Sequence, residues 1–368
     1  MNKEKLISYI QLINTAGIGP VNFKRLMDRY HDIDIALKEL SQKKSIFPRQ
    51  KAEKELLTAE IKGIKIITIE DDEYPYNLKQ IDDCPPVLYA LGNTSLLQNK
   101  NALAVVGSRS ASFGASKLAQ NISKEIAENG ITIVSGMARG IDSFAHLGAL
   151  ETNASTIAVL GTGVDVVYPK ENDTLYKKII QKGLVLSEYP LGTSPQSSNF
   201  PRRNRIVSGL SKGVLVVEAS VMSGSLITAN LALEQGRDVY AIPGAPFDNR
   251  TSGCNKLIKE GATLVETSKD ISDNFDFKDK EFISLTPSKI PTRELFEYSL
   301  DNNQISTDSA NENNLHQNLL SLISTTGEDI DDIIRHFSVP TEEILMVISE
   351  LELDGKIIRL PGNKIAKS

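Results

Sequence analysis

Three arginines and two asparagines crowd the stretch SSNFPRRNRIVSGLSKGVLVVEAS, residues 197–220, directly ahead of a run of small and β-branched apolar residues. Arg202, Arg203 and Arg205 each carry a planar fork of donors that matches phosphate oxygens, and Asn204 lies among them. Phe200 stands beside the charges, and an aromatic face near cations is the usual platform for an unpaired base. Chemistry of the same kind follows other apolar runs: Gly107, Ser108 and Arg109 in ALAVVGSR, Arg139 in GMARG, Tyr168, Lys170 and Asn172 in GTGVDVVYPKEN, and Ser223, Gly224 and Ser225 in SGSLITA. Small residues at 107–108 and 223–225 let an anion approach backbone N–H groups, and a helix starting there adds favourable partial charge. Cations spread over several loops suit a run of phosphates better than one small anion. With Phe200 and Tyr168 they point to an unpaired nucleic-acid strand. A blander use of the same arginines is an ion-pair network with Glu188, Glu218 and Asp165.

Other chemistry has less support. Asp142 and His146 lie one helical turn apart and could form an acid–base pair, although a cap plus a hydrogen-bonded histidine is the commoner outcome, and no catalytic residue is assigned. VVGSRSASFG stands where a dinucleotide fingerprint GxGxxG would be, and neither GxxxxGK[ST] nor GxSxG occurs. His31, His146, His316 and His336 lack metal-ligand spacing, so neither a metal nor a cofactor is expected. Cys84 and Cys254, far apart and without a CxxC, read as structural thiols.

The positioning elements follow from the hydropathy pattern of a 368-residue chain with 40% hydrophobic and 24% charged residues and a net charge of −6. ALAVVGSR, ITIVSGMARG, TIAVLGTG, LVLSEYP, GVLVVEAS and DVYAIPG are continuous apolar runs separated by stretches of helical periodicity such as Leu118, Ile122 and Ile126. That alternation predicts an α/β, doubly wound, Rossmann-like parallel sheet covered on both faces, whose ligands bind beyond the carboxyl ends of the strands. Residues 1–65 read as an N-terminal helical domain of helix-hairpin-helix or SAM-like type. Its turn TAGIGP either offers amides to a phosphate or simply joins two packed helices. IKIITI and PPVLYALG read as short strands entering a core domain over residues 66–270. Residues 271–314 are too polar to order themselves and read as a linker. Three helical patterns and a hairpin over 315–368 predict a winged helix. Its third helix, TEEILMVISELELDG, carries Glu342, Glu343, Glu350, Glu352 and Asp354, which phosphates would repel, so this domain is expected to contact protein or its own core and not a duplex groove. No secretion signal and no bilayer-length apolar run is visible, which makes the cytosol the default compartment and leaves no membrane partner. Leu257 and Ile258 lie either on an association surface or in the core.

Taken together, VVGSRSASFG, VSGMARGID, LGTGVDVVYPKEN, SEYPLGTSP, NFPRRNRIVSGLS, SGSLITANLALEQGRDVYAIPG and GCNKLIKEGATLV resemble, in the same order over roughly residues 72–268, the DNA-processing protein A (DprA/Smf) family. The resemblance implies a non-enzymatic Rossmann-type core that binds single-stranded DNA, forms a homodimer and loads the RecA recombinase onto strands covered by single-strand-binding protein, in natural transformation where that exists. It maps a strand-binding pocket onto Arg109, Lys170, the FPRRNR segment and the SGS turn. The alternative, by resemblance to related Rossmann-like folds, is a nucleotide-processing enzyme of the phosphoribohydrolase type, whose phosphate loop and carboxylate would correspond to SGSLITANLALEQ, with Glu234 displaced along the helix. A sensor of a small phosphorylated ligand is a third reading.

Overall fold

The apolar runs are strands of one nine-stranded sheet in the computed structural model, which describes residues 2–152, 155–273, 275, 311–337, 339–360 and 362–368. In chain order they are β1 (Lys65–Thr68), β2 (Val87–Gly92), β3 (Ala102–Val106), β4 (Thr132–Ser135), β5 (Thr156–Val159), β6 (Leu184–Ser187), β7 (Gly213–Val216), β8 (Asp238–Ala241) and β9 (Thr263–Leu264). Their spatial order is β1-β2-β6-β5-β4-β3-β7-β8-β9. From β6 to β9 every pairing is parallel, whereas β1 and β2 join as an antiparallel edge.

Alternate residues of one strand enter two different cores, which is why the runs are apolar without interruption. Ala102, Ala104 and Val106 of β3 pack with Ile206, Val207 and Ala229 on one face. Leu103 and Val105 pack with Ile122, Ile126 and Ala145 on the other. The first face is covered by α9 (Asn199–Leu210) and α10 (Gly224–Glu234), with α5 (Tyr76–Lys79) and α11 (Ser252–Lys259) beside them; the second is covered by α6 (Phe113–Glu128) and α7 (Ile141–Leu150). Helix α8 (Asp173–Lys182) precedes β6, and α12 (Lys269–Ser272) follows β9. Leu257 is buried and Ile258 packs against the same cluster, so both belong to the core.

The N-terminal helices α1 (Lys3–Ile13), α2 (Pro20–Tyr30), α3 (Ile33–Ser41) and α4 (Arg49–Ile61) attach through Tyr9 and Leu12, which share a cluster with Tyr89 and Leu91 of β2. In the TAGIGP turn Gly17 takes φ +78°, and Lys44 Nζ donates to Ala16 O at 2.6 Å.

Of the expected linker, residues 274 and 276–310 lie outside the described residues. The C-terminal unit comprises α13 (Asn311–Leu322), β10 (Glu328–Asp329), α14 (Ile330–His336), α15 (Thr341–Leu353), β11 (Ile357–Leu360) and β12 (Lys364–Lys367). Its strands order β10-β12-β11 over a core of Leu319, Ile333, Ile344, Ile348 and Ile365, which is a winged helix. Among the described residues no helix is long and apolar enough to cross a membrane, and no His, Cys, Asp or Glu cluster is arranged to hold a metal.

Candidate functional site

Strands β3 and β7 are hydrogen-bonded neighbours, yet the chain leaves β3 toward α6 on one face and β7 toward α10 on the other. Such divergence opens a crevice at the carboxyl edge, the switch point of a doubly wound sheet. A cavity of about 870 Å³ occupies it. Of the residues singled out from the sequence, Gly107, Ser108, Arg109, Phe200, Arg203, Asn204, Ser223, Gly224 and Ser225 line this cavity, together with Tyr168.

FPRRNR reaches the cavity at the start of the helix that precedes β7. The segment forms the first turns of α9. The helix runs back across the sheet, so its start lies at the carboxyl edge while Leu210, its end, delivers the chain to β7 at the other edge. One helix therefore sends its basic side chains in different directions. Arg203 turns inward: it is 4% exposed, and its Nη1 donates to Val159 O. A Cβ on Gly136 would lie 2.0 Å from that same Nη1, so only glycine leaves room for the guanidinium. Burial and the neighbouring Arg109 lower the Arg203 pKa, and the Asp142 carboxylate opposes them. Arg205 turns the other way, to Glu188 and to Asp83, 3.2 Å away. It is absent from the cavity wall, and its charge is already committed. Arg202 is exposed outside the wall.

Phe200 forms the floor of an aromatic tier. Its ring centroid lies 5.3 Å from that of Tyr168, and the Arg109 guanidinium carbon stands 5.8 Å above the ring. Arg109 is exposed, so its donors face solvent at the cavity mouth.

The phosphate-accepting amides are fewer than the small residues suggest. Ser108 N donates to Glu218 O at 2.6 Å and is spent on closing the β3 and β7 loops together. At the other turn Ser223 Oγ caps α10 by accepting from Ser225 N at 3.3 Å and meets Ser225 Oγ at 2.6 Å. The Gly224 Cβ position faces open space, so an approaching ligand meets no side chain there.

Three other expected residues stay outside the wall. Arg139 is exposed and pairs with Glu171 at 3.0 Å, Lys170 is exposed on a short 3-10 turn, and Asn172 braces the β4 loop by donating to Met137 O (2.8 Å) and Ser143 Oγ (2.9 Å). Of the possible carboxylate partners, Glu188 takes Arg205, but Glu218 accepts from Ser112 Oγ at 2.7 Å and Asp165 takes Lys62 at 2.6 Å.

Asp142 and His146 do not touch as an acid–base pair. Asp142 Oδ2 accepts from Gly136 N (3.1 Å) and Ala138 N (3.3 Å), while His146 Nδ1 meets Thr156 Oγ1 at 2.7 Å. Burial raises the Asp142 pKa, and burial plus Arg203 lowers that of His146 to about 3. Glu234 is the last residue of α10, about 15 Å of helix away from the serine turn.

Sequence reasoning missed Arg250 and Lys367, which also line the cavity. Arg250 follows β8 in a stretch without clustered charge, and Lys367 comes from the winged helix, some hundred residues beyond the sheet. No local pattern joins them to the site.

A doubly wound core with a basic, aromatic crevice at its switch point, helices ahead of it and a winged helix behind it defines a Rossmann-like protein of modular build. The chain belongs to the DNA recombination-mediator protein A family, whose sequence model matches residues 65–276, and that of the DprA winged helix domain matches 306–363. DNA processing protein DprA of Streptococcus pneumoniae is 47% identical over 221 residues, 60% of this chain and 78% of the relative. The X-ray structure of that bacterium's DprA superposes with a TM-score of 0.65 at 36% identity, covering 75% of this chain and 99% of the other. DNA processing protein A of Helicobacter pylori, a structure described for its single-stranded DNA binding mode, gives 0.52 at 31% identity over 57% and 94% of the two chains.

Proposed function

We propose that this chain binds single-stranded DNA through the switch-point crevice, without chemistry of its own, and acts as a recombination mediator that hands the strand to a RecA-type recombinase. The observation that carries the reading is the tier of Arg109 over Phe200 and Tyr168, with Arg203 and Asn204 in the same wall. Bases stack on the rings while phosphates meet the guanidinium at the mouth, a division of labour that tolerates any sequence. Lys170 and Arg202, exposed outside the wall, and Arg139 beyond Glu171 extend the cationic path along which a longer strand leaves. Family membership supports the mediator role, and the Helicobacter relative supports the choice of single strands. Delivery to the recombinase, displacement of single-strand-binding protein and a homodimeric state belong to the same proposal. The commitment of Asp142 and His146 to separate partners, and the placement of Glu234 at the far end of α10, favour a binder over a nucleotide-cleaving enzyme.

The test is a titration of labelled oligothymidine at several salt concentrations. About four neutralised phosphates give a log–log slope near −3, at about −0.7 each. Arg109→Ala is expected to weaken binding about tenfold for every sequence and to flatten the slope by about 0.7. Unchanged affinity in that variant, or release of adenine from AMP by the wild type, would reject the reading.

A further inference from the structure

The winged helix is docked on the core at the crevice itself. His336, at the end of α14, lies with its ring centroid 6.2 Å from those of both Phe113 and Phe144, stacked on the latter. The buried Glu328 carboxylate lies 3.6 Å from the Cβ position of Gly114 in the first turn of α6, where the helix dipole favours an anion. Arg250, held by Asp248 at 3.0 Å, donates through Nη1 to Ile323 O at 2.9 Å, and Lys117 faces Asp332 at 3.8 Å. These contacts bring Ser321 of α13 and Lys367 of β12 into the cavity wall, alongside Arg250 and Ser220.

Lys367 is the unusual member. It is half-buried; burial and the nearby Arg250 lower its pKa while the Asp248 and Glu218 carboxylates oppose them, and its ammonium makes no hydrogen bond or ion pair among the described residues. Asp248 is held by Arg250 and Glu218 by Ser112, so neither carboxylate meets the ammonium directly, and an anion entering the cavity can.

We propose that the winged helix is the second jaw of the crevice, with Lys367 supplying a phosphate subsite that faces the cavity from the C-terminal unit. This rests on the reading of the crevice as a single-strand site. The strand then runs between core and winged helix, gripped from both, and the acidic third helix stays outside the contact.

The full-length chain provides the test. Lys367→Gln is expected to weaken oligothymidine binding about fivefold to tenfold and to flatten the salt slope by about 0.7, one phosphate contact. Lys364→Gln, which removes the same charge from the exposed start of β12, is expected to change neither. His336→Ala, which loosens the docking without removing a strand contact, should weaken binding in the same direction. Wild-type affinity in Lys367→Gln while Arg109→Ala loses affinity overturns the second jaw and leaves the crevice reading intact. Equal losses in the two lysine variants reduce the effect to net charge and also overturn it. Tighter binding in His336→Ala would make the winged helix a cap instead of a jaw. If Arg109→Ala and Lys367→Gln both bind like wild type, the underlying reading fails first.

Discussion

What a guanidinium already touches decides what it can offer to a ligand, and the arginines of α9 illustrate this within one and a half turns. Arg203 is threaded past Gly136 into the cavity wall, whereas Arg205, only 7% exposed in its side chain, is spent on Glu188 (11%) and Asp83 (43%). Removing one partner of a buried ion pair leaves the other uncompensated, a loss of about 3 kcal/mol or more. Burial raises the Glu188 pKa and the Arg205 charge opposes that, so without Arg205 the carboxyl protonates more readily and recovers part of the loss. Arg205→Met is therefore expected to lower the urea midpoint, by about 3 kcal/mol in free energy at most, while the folded protein binds oligothymidine within about twofold of wild type. A loss of affinity matching that of Arg109→Ala with an unchanged midpoint would place Arg205 in contact with the strand after all.

At the scale of elements, α7 ties the β3 and β4 loops together. Gly140 takes φ +69° with a virtual Cβ 2.2 Å from Ser108 O, so the helix starts against the crevice loop. On its buried side Thr156 Oγ1 donates to Ile133 O at 2.7 Å, which makes Nδ1 of His146 the donor in their shared bond and leaves Nε2 without a partner. This neutral histidine, its pKa pushed down to about 3 by burial and Arg203, contributes stability above its unfolded value near 6.5. That contribution is lost as pH falls from about 6.5 toward 3, at up to about 1.4 kcal/mol per unit. Comparing wild type with His146→Leu isolates it, because the buried carboxyls of Asp142 and Glu218 titrate in both proteins. The variant should lose less stability than wild type between pH 7 and pH 5 in chemical denaturation, and parallel losses would refute the assignment. Elements of this kind differed in how far they could be read from residues alone. The parallel strands were legible because burial on both faces makes their sequences continuously apolar, and the winged-helix hairpin because turn residues flank its short strands. The antiparallel attachment of β1 and β2 was not, since a four-residue run carries no direction. Nor was the inward course of Arg203, which depends on a glycine 67 positions away.

For the whole molecule, a net charge of −6 coexists with a crevice whose wall sets Arg109, Arg203, Arg250 and Lys367 against the one carboxylate of Asp142, because most carboxylates lie elsewhere, and the winged helix shows the consequence. On α15, the helix that would enter a major groove, Glu343 and Glu350 are exposed beside Leu345, Met346 and Leu353; Glu350 meets His316 Nε2 at 2.6 Å, and Glu352 and Asp354 pair with Arg359 and Lys356. Such a face repels phosphates and fits a protein partner better than a duplex. A crevice whose floor is the Phe200 ring excludes stacked, paired bases as well, because each must be unstacked to meet an aromatic face. On the proposed reading single strands would be selected twice, by access to the rings and by the sign of the outer surface. In competition against labelled oligothymidine, an unlabelled single strand should displace the probe at a concentration at least about tenfold below that of a duplex of equal length. Replacing both Glu343 and Glu350 by lysine should raise duplex affinity and steepen its salt slope by about 0.9 for each phosphate newly engaged, leaving single-strand affinity nearly unchanged. If wild type binds duplex as tightly as single strand, or the double replacement leaves duplex binding unaltered, the outer face does not govern the choice and the selection rests elsewhere.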